Sequence, residues 1–451
     1  MNTEMPLDAP GHPPRFPEPS PLHRAVGASA LGNAVEWFDY GIYAYGLTYI
    51  SAALFPGDTE EAVLFALATF AISFLIRPLG GLFWGPLGDR IGRKSVLAMT
   101  ILLMAGATFA VGLIPSYAAV GFWAPTALVL LRMLQGFSTG GEYGGAATFM
   151  AEYAPDDRRG FYGSFLEFGT LAGFSLGAAL MLGYSFHLGD EAMHQWGWRI
   201  PFLIAGPIGL VGMYLRSKME DTPIFREEMV AAEGRKAPGL GSLMRDHWRP
   251  LFVVGGLVVA LNVVNYSLLS YMPTYLQRRI GLSSEEALLV PIIGMVFMML
   301  FLPFAGALSD RVGRKPMWRW SLIGLLLFVV PLYMLIGTGF AGAIIGFMAL
   351  GLLYVPQLAT ISATFPAMFP TAVRFAGFAI AYNISTSIFG GTAPIVGSGL
   401  ISLTGDPLMP AYYMMLACVV GLGALRYMPE TARLSLRENP FAQKAESGPA
   451  K

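Results

Sequence analysis

Six ionisable residues fall inside long hydrophobic runs of the 451-residue chain. Glu36, Asp39, Glu142 and Glu167 are acidic; Arg77 and Arg132 are basic. A charge at mid-bilayer is costly unless it is paired or hydrated, so each of the six is a functional candidate by default. Even with both arginines paired, two carboxylates are left over. Burial penalises the charged form of a carboxyl, which makes surplus acids natural carriers of a proton. Nothing indicates intramembrane hydrolysis, because no nucleophile and base are paired inside the runs. No metal centre is indicated either: Cys418 is the only cysteine, and His187 and His194 flank a loop with no ligand context.

Helical geometry gathers further polar residues around the six. At about 100° per residue, Asn33, Glu36, Tyr40 and Tyr43 share one face of the first run, with Asp39 at its edge. Arg132, Gln135, Ser138, Thr139, Glu142 and Tyr143 form one stripe on the fourth. Arg132 and Glu142 are about 15 Å apart along that axis, so each needs a partner elsewhere. Asn262, Asn265 and Tyr266 share a face of the seventh run, as do Tyr354 and Gln357 in the tenth.

The elements that hold these residues must be membrane spans. The chain is 55% hydrophobic and only 13% charged, against roughly 25% charged in soluble domains. That excludes an ordinary soluble protein. Lys+Arg and Asp+Glu both number 29, so net charge makes no case for a nucleic-acid partner. A span takes about 20 mainly apolar residues. The pattern predicts six spans near 25–54, 62–88, 95–114, 119–152, 160–187 and 197–216. Six more fall near 249–277, 286–308, 316–337, 340–369, 375–403 and 409–428. Residues 1–23 hold seven prolines and read as a disordered tail, and the first run is too long and too deep for a cleaved signal peptide. The halves 24–216 and 249–428 are joined by a polar linker, 217–248, and followed by a short polar tail, 429–451.

The halves repeat each other. Gly85-Pro-Leu-Gly-Asp89-Arg90-Ile-Gly92-Arg93-Lys94 returns as Gly306-Ala-Leu-Ser-Asp310-Arg311-Val-Gly313-Arg314-Lys315. Pro155…Arg159 is echoed by Pro370…Arg374, and Glu-Asp-Thr222 by Pro-Glu-Thr431. In each ten-residue turn the aspartate can cap the next helix, leaving the arginines for acidic partners. Sidedness follows from basic residues. Arg199, Arg278 and Arg279 fall on one side, while 24 of the 29 Lys and Arg lie on the tails and the other loops, which are expected to be cytoplasmic.

The repeated turn resembles the signature of the major facilitator superfamily. That resemblance implies an all-α fold of twelve transmembrane helices in two pseudo-symmetric six-helix bundles, with a central cavity lined by spans 1, 4, 7 and 10 and alternating access by rocking. Gly32-Asn33-Ala-Val-Glu36-Trp37-Phe38-Asp39-Tyr40, Arg77-Pro78-Leu-Gly80-Gly81 and Gly140-Gly141-Glu142-Tyr143 narrow the resemblance to its metabolite:proton symporter family. Ala151-Glu152-Tyr153, Tyr271-Met-Pro273-x-Tyr275-Leu276, Phe365-Pro-Ala-Met-Phe-Pro370-Thr371 and Asn383-Ile-Ser385 are similar to the proline/betaine transporters of that family. The chain stops shortly after its last span, so osmotic gating by a long C-terminal coiled coil is not expected. Drug antiporters of the superfamily carry a Gly-Pro pair in the fifth span; here Gly169-Thr-Leu-Ala-Gly173-Phe-Ser-Leu-Gly177 has no proline, which favours a symporter.

The resemblance implies a proton-coupled importer of a zwitterionic compatible solute such as proline or glycine betaine. It would sit in a bacterial inner membrane with both termini cytoplasmic. The alternative is an organic anion (citrate, shikimate or a dicarboxylate), which an extra cavity arginine would favour. The solute carboxylate needs a cation or amide donors, available in Arg132, Asn262 and Asn265, with Gln135, Tyr354 and Gln357 on the same faces. Its ammonium favours aromatic faces, available in Trp37, Tyr40, Tyr43, Tyr143 and Tyr266. Glu36, Asp39 and Glu142 are expected to contain the proton site, with Arg77 neutralising one acid. Asp89, Arg90 and Arg93, with Asp310, Arg311 and Arg314, are expected to form gating latches along with Glu152, Arg159 and Arg374. No cofactor is expected. There is no Walker loop, and Gly337-Thr-Gly339-Phe-Ala-Gly342 lacks the preceding strand of a nucleotide site. The partners are then the solute, protons and the lipid bilayer. A channel and an intramembrane enzyme are both disfavoured by the two-half repeat.

Overall fold

The computed structural model describes residues 21–217 and 244–436, apart from Asp58, Gly92, Gly141, Thr371 and Ala372, together with Phe441. The N-terminal tail up to residue 20, the linker from 218 to 243 and most of the last fifteen residues lie outside the described residues.

Among the described residues every regular element is helical. The first half runs α1 (Pro21–Tyr45, resumed at Leu47–Leu54), α2 (Thr59–Ile91), α3 (Arg93–Gly112), α4 (Trp123–Thr139, resumed at Glu142–Tyr153), α5 (Arg159–Leu188) and α6 (Arg199–Ser217). The second half runs α7 (Trp248–Tyr266, continued through π turns to Ile280), α8 (Ser284–Val312), α9 (Arg314–Ile336) and α10 (Phe340–Leu358, then Ile361–Thr364). It ends with α11 (Arg374–Ser385, a π turn, then Ala393–Thr404) and α12 (Met409–Tyr427). The fold is the expected all-α arrangement of twelve columns. Among the described residues, eight helices are long and apolar enough to cross a membrane by length and composition. The other four columns explain themselves. α4 is divided into helices of 17 and 12 residues, and α1 carries Asn33, Glu36 and Asp39. The apolar helices of α3 and α6 are the shorter stretches Ala98–Gly112 and Arg199–Tyr214.

Large apolar side chains such as Phe252, Phe304 and Leu403 stand exposed on the outer faces, while Asn33, Arg77, Arg132 and Gln357 are buried. This inversion of the soluble pattern is what a hydrocarbon solvent selects. Inside, small residues let backbones meet. A Cβ on Gly136 of α4 would lie 1.7 Å from the Ser73 carbonyl oxygen, and one on Gly140 would lie 2.1 Å from that of Arg77. This near-contact of α2 and α4 brings the helices bearing Arg77 and Arg132 together. Local signals also act: Ser283 and Glu286 form a reciprocal capping box that starts α8.

Candidate functional site: buried charges in one bundle and latches between two

All six ionisable residues of the spans are buried; Asp39, at 4%, is the most exposed of them. The structure sorts them into two groups.

The first group is enclosed among α1–α4. Arg132 donates from Nη1 to Gln135 Oε1 (2.9 Å) and from Nη2 to Ser73 Oγ (3.2 Å). Its guanidinium lies 4.2 Å from the centre of the Tyr43 ring and 5.4 Å from that of Tyr40. Gln135 passes the network on to Thr108 Oγ1 (2.6 Å). Asp39 lies within electrostatic reach of both Arg132 and Glu142, and its Oδ2 has no hydrogen-bond partner. Glu142 accepts from Thr100 Oγ1 at 3.0 Å. Tyr43 is tied to the Ala66 carbonyl at 2.8 Å.

The second group faces the other bundle. Arg77 stacks 4.3 Å from the centre of the Phe74 ring and 4.8 Å from that of Tyr40. Desolvated contacts of this kind reach about 2 kcal/mol. Nε and Nη2 of Arg77 have no hydrogen-bond partner, while Glu36 and Tyr266 act on the residue electrostatically. Tyr266 comes from α7, its hydroxyl also without a partner, and packs 6.2 Å from Trp37 and 5.0 Å from Phe74, centre to centre. Trp37 donates to Asn33 Oδ1 (3.2 Å), and Asn33 in turn donates to Thr170 Oγ1 (2.6 Å) and the Leu166 carbonyl (2.8 Å). Glu167 accepts from the Tyr143 hydroxyl, and Tyr143 stacks on Tyr382 of α11 with centroids 4.5 Å apart. The sequence counts Glu167 among the buried acids but gives it no role; the structure puts it at the bundle interface.

The two arginines are engaged to different extents. Arg132, expected to hold the solute, has both terminal nitrogens engaged within its own bundle. Arg77, expected to be absorbed by an acid, keeps two donors unbonded at the interface.

The facing wall of the second bundle is neutral. Asn262 donates to Thr386 Oγ1 (2.9 Å), and the Tyr354 hydroxyl donates to Asn265 Oδ1 (3.1 Å). Gln357 donates to Ser321 of α9 (2.8 Å), so its amide turns away from the other candidates. The helix period places Gln357 on the same face as Tyr354 but cannot say which neighbour captures its amide.

Contacts between the bundles close both ends. At the end that bears the repeated turns, Asp310 pairs with Arg314 (2.7 Å) and accepts the backbone N–H groups of Gly160 (2.8 Å) and Phe161 (2.9 Å). This corrects one expectation. The aspartate caps α5 of the other bundle, not the helix that follows it. The following helix, α9, is capped by Glu430 of the Pro-Glu-Thr repeat, which accepts from Arg314 N (2.8 Å) and Lys315 N (3.0 Å). Glu430 was visible as part of a repeat, but its role was not. Arg374 meets Glu152 across the bundles at 3.4 Å. Arg159 is buried against Asp156, its partner in an i,i+3 pair, and the Leu434 carbonyl (3.1 Å). Arg311 is exposed and forms no ion pair among the described residues. The side chains of Asp89, Arg90 and Arg93 lie outside the described residues.

At the opposite end, Arg279 pairs with Glu60 (2.8 Å), and Ser402 donates to the same Glu60 oxygen (2.6 Å). Ser185 donates to Glu285 at 3.2 Å. Deeper in, the Tyr45 hydroxyl donates to the Leu269 carbonyl at 2.8 Å. The Glu60–Arg279 link escapes sequence reasoning because each member lies in a separate polar loop of ordinary composition.

Comparison with known proteins agrees with this architecture. A model described as the Major Facilitator Superfamily matches residues 30–383. The chain is 45% identical over 426 residues to a glycine betaine/proline/ectoine/pipecolic acid transporter of Dickeya dadantii, covering 92% of this chain and 85% of that one. It is 44% identical over the same shares to a proline/betaine transporter of Salmonella typhimurium. An ectoine/proline transporter of Corynebacterium glutamicum is 42% identical, covering 93% of this chain and 86% of the relative. Among solved structures, the xylose transporter from E. coli superposes with a TM-score of 0.72 at 19% identity, covering 92% of this chain and 99% of that one.

Proposed function

The chain belongs to the major facilitator superfamily, and from that premise we propose that it imports a zwitterionic compatible solute of the proline and glycine betaine class together with protons, by alternating access. It is a transporter, not an enzyme. The three relatives named above, 42–45% identical over at least 85% of their own length, carry names as betaine, proline or ectoine transporters. The observation that carries the coupling is the two-acid surplus buried in one bundle. An uncompensated carboxylate away from water is stable only if it binds a proton or a cation.

Arg77 receives the solute carboxylate, since its unbonded donors suit a bidentate anion. Glu36, which shares the field of Arg77, then loses part of its counter-charge and takes up a proton. Solute and proton binding are thereby mutually favourable, and the coupling is reciprocal. Asp39, Glu142 and Arg132 form a second, internal set that relays or retains the proton. The wall opposite is formed by Tyr266, Asn262, Asn265 and Tyr354. An organic di- or tricarboxylate fits less well, because one of the two span arginines is already engaged within its own bundle.

The end with Asp310, Arg314, Arg159, Arg374 and Glu152 faces the cytoplasm, with both termini, in a bacterial inner membrane. Its latches part when the inward-open state forms, whereas the Glu60–Arg279 link parts when the outward-open state forms. Uptake of labelled glycine betaine, proline, citrate and shikimate by proteoliposomes, with and without an imposed proton gradient, tests the reading. Gradient-driven accumulation of the first two is expected. Citrate uptake without betaine uptake would overturn the solute class.

A further inference from the structure

No basic side chain is seen to act on Glu167 among the described residues. Arg77 answers Glu36, and Arg132 answers Asp39. The groups that act on Glu167 are hydroxyls: Tyr143 donates to it, and Thr170 lies one turn along the same helix face. It is 2% exposed, so water does not compensate it in this state.

Its surroundings are drawn from both bundles. Tyr143 belongs to α4, but the ring stacked on Tyr143 is Tyr382 of α11, at an interplanar angle of 17°. Tyr354 of α10 also lies within electrostatic reach of Glu167. Tyr382 and Tyr266 act on one another, and Tyr266 in turn faces Arg77. Glu167 therefore lies where the stacked rings of Tyr143 and Tyr382 join the two bundles, and Arg77 lies at the same interface, its stacking partner Phe74 packed on Tyr266 of α7. The interface thus presents an arginine with unbonded donors, a buried carboxyl and aromatic rings from both bundles.

Resting on the solute class proposed above, we propose that Glu167 is the specificity-determining residue for the cationic end of the solute, with Tyr143 and Tyr382 as the faces against which its ammonium packs. A quaternary ammonium cannot donate a hydrogen bond, so it is recognised by a counter-charge and by ring faces. Glu167 supplies the first and the two tyrosines the second. The hydrogen bond from Tyr143 holds the carboxyl group in place. Because Tyr143 comes from α4 and Tyr382 from α11, the ammonium is gripped only when both bundles close on it.

The test compares glycine betaine with 3,3-dimethylbutanoate, its isostere with a neutral tert-butyl group, by calorimetric binding to the full-length protein in nanodiscs. Wild type should bind betaine at least thirtyfold more tightly than the isostere. Glu167→Gln should weaken betaine at least tenfold while leaving the isostere within threefold, and Glu167→Asp should recover part of the betaine affinity. Equal weakening of both ligands, or unchanged discrimination in Glu167→Gln, would overturn the assignment. If Glu167→Gln does not fold, Tyr382→Leu carries the same expectation at about fivefold on betaine, and a wild type that does not prefer betaine to the isostere would overturn it directly. Should wild type bind neither ligand but bind citrate, the solute class itself would fall, which is a separate failure.

Discussion

The two bundles share a repeated ten-residue motif but have unlike interiors. The first buries Glu36, Asp39, Glu142, Glu167, Arg77 and Arg132. The second faces them with Asn262, Asn265, Tyr266, Tyr354 and Tyr382, and its spans α7 and α11 are interrupted by π turns at Ser267–Tyr271 and Thr386–Gly390. Buried charge demands a rigid shell of partners, and the first bundle has one in the Arg132–Gln135–Thr108 chain. π turns recur at functional sites, and the second bundle, whose described buried charges Asp310, Arg314 and Arg374 lie at its helix ends, can accommodate them. The difference points to the division of labour proposed above, buried charge on one side and a neutral wall on the other.

The sharpest way to break this comparison is to neutralise a charge in the first bundle. Glu36→Gln is expected to abolish accumulation against a gradient, at least a hundredfold, while solute exchange across the membrane persists. A variant that still accumulates solute would remove Glu36 from the coupling. Next in size is a paired substitution at equivalent glycines. Gly136→Ala sets a methyl against the Ser73 backbone, whereas at Gly351 the nearest atoms belong to the flexible Met298 side chain, at 2.7 Å. Overpacking typically costs about 1–3 kcal/mol. Gly136→Ala should exceed that range and lose folded protein, and Gly351→Ala should stay near its lower end. Thermal unfolding in detergent compares the two, and equal costs would contradict the tighter first bundle.

A smaller effect is expected on the neutral wall. Asn265→Ala removes the acceptor for Tyr354, and the loss of one buried hydrogen bond is worth about 1–2 kcal/mol. It should raise the KM for uptake about tenfold without uncoupling protons. Uncoupling by this variant would blur the division. Smallest is Ser283→Ala, which breaks the capping box of α8 away from either interior. It should cost about 1 kcal/mol of stability, seen as a lower Tm with transport unchanged.

Much of the architecture was legible because membrane spans and repeats leave strong sequence signals. The span near 160–187 emerges as α5, Arg159–Leu188, and that near 286–308 as α8, Ser284–Val312. The six buried ionisable residues were legible too, since hydrocarbon tolerates few charges. Partnership was not. Asp310 reads as a cap for its own neighbour, yet it caps α5 in the other bundle, a choice made only when α5 and α8 meet at Gly160 and Gly306. The periodicity that puts Arg132 and Gln135 on one stripe cannot tell whether they face a solute or one another. Glu430 was a repeat without a role until the start of α9 came to rest on it.

The most direct test of the central claim is substrate-driven proton movement. Glycine betaine is added outside sealed proteoliposomes that hold a pH-sensitive dye in the lumen, with no gradient imposed. Zwitterion–proton symport predicts that the lumen acidifies as solute enters, in proportion to the solute taken up. Betaine entry with no change in luminal pH would contradict it.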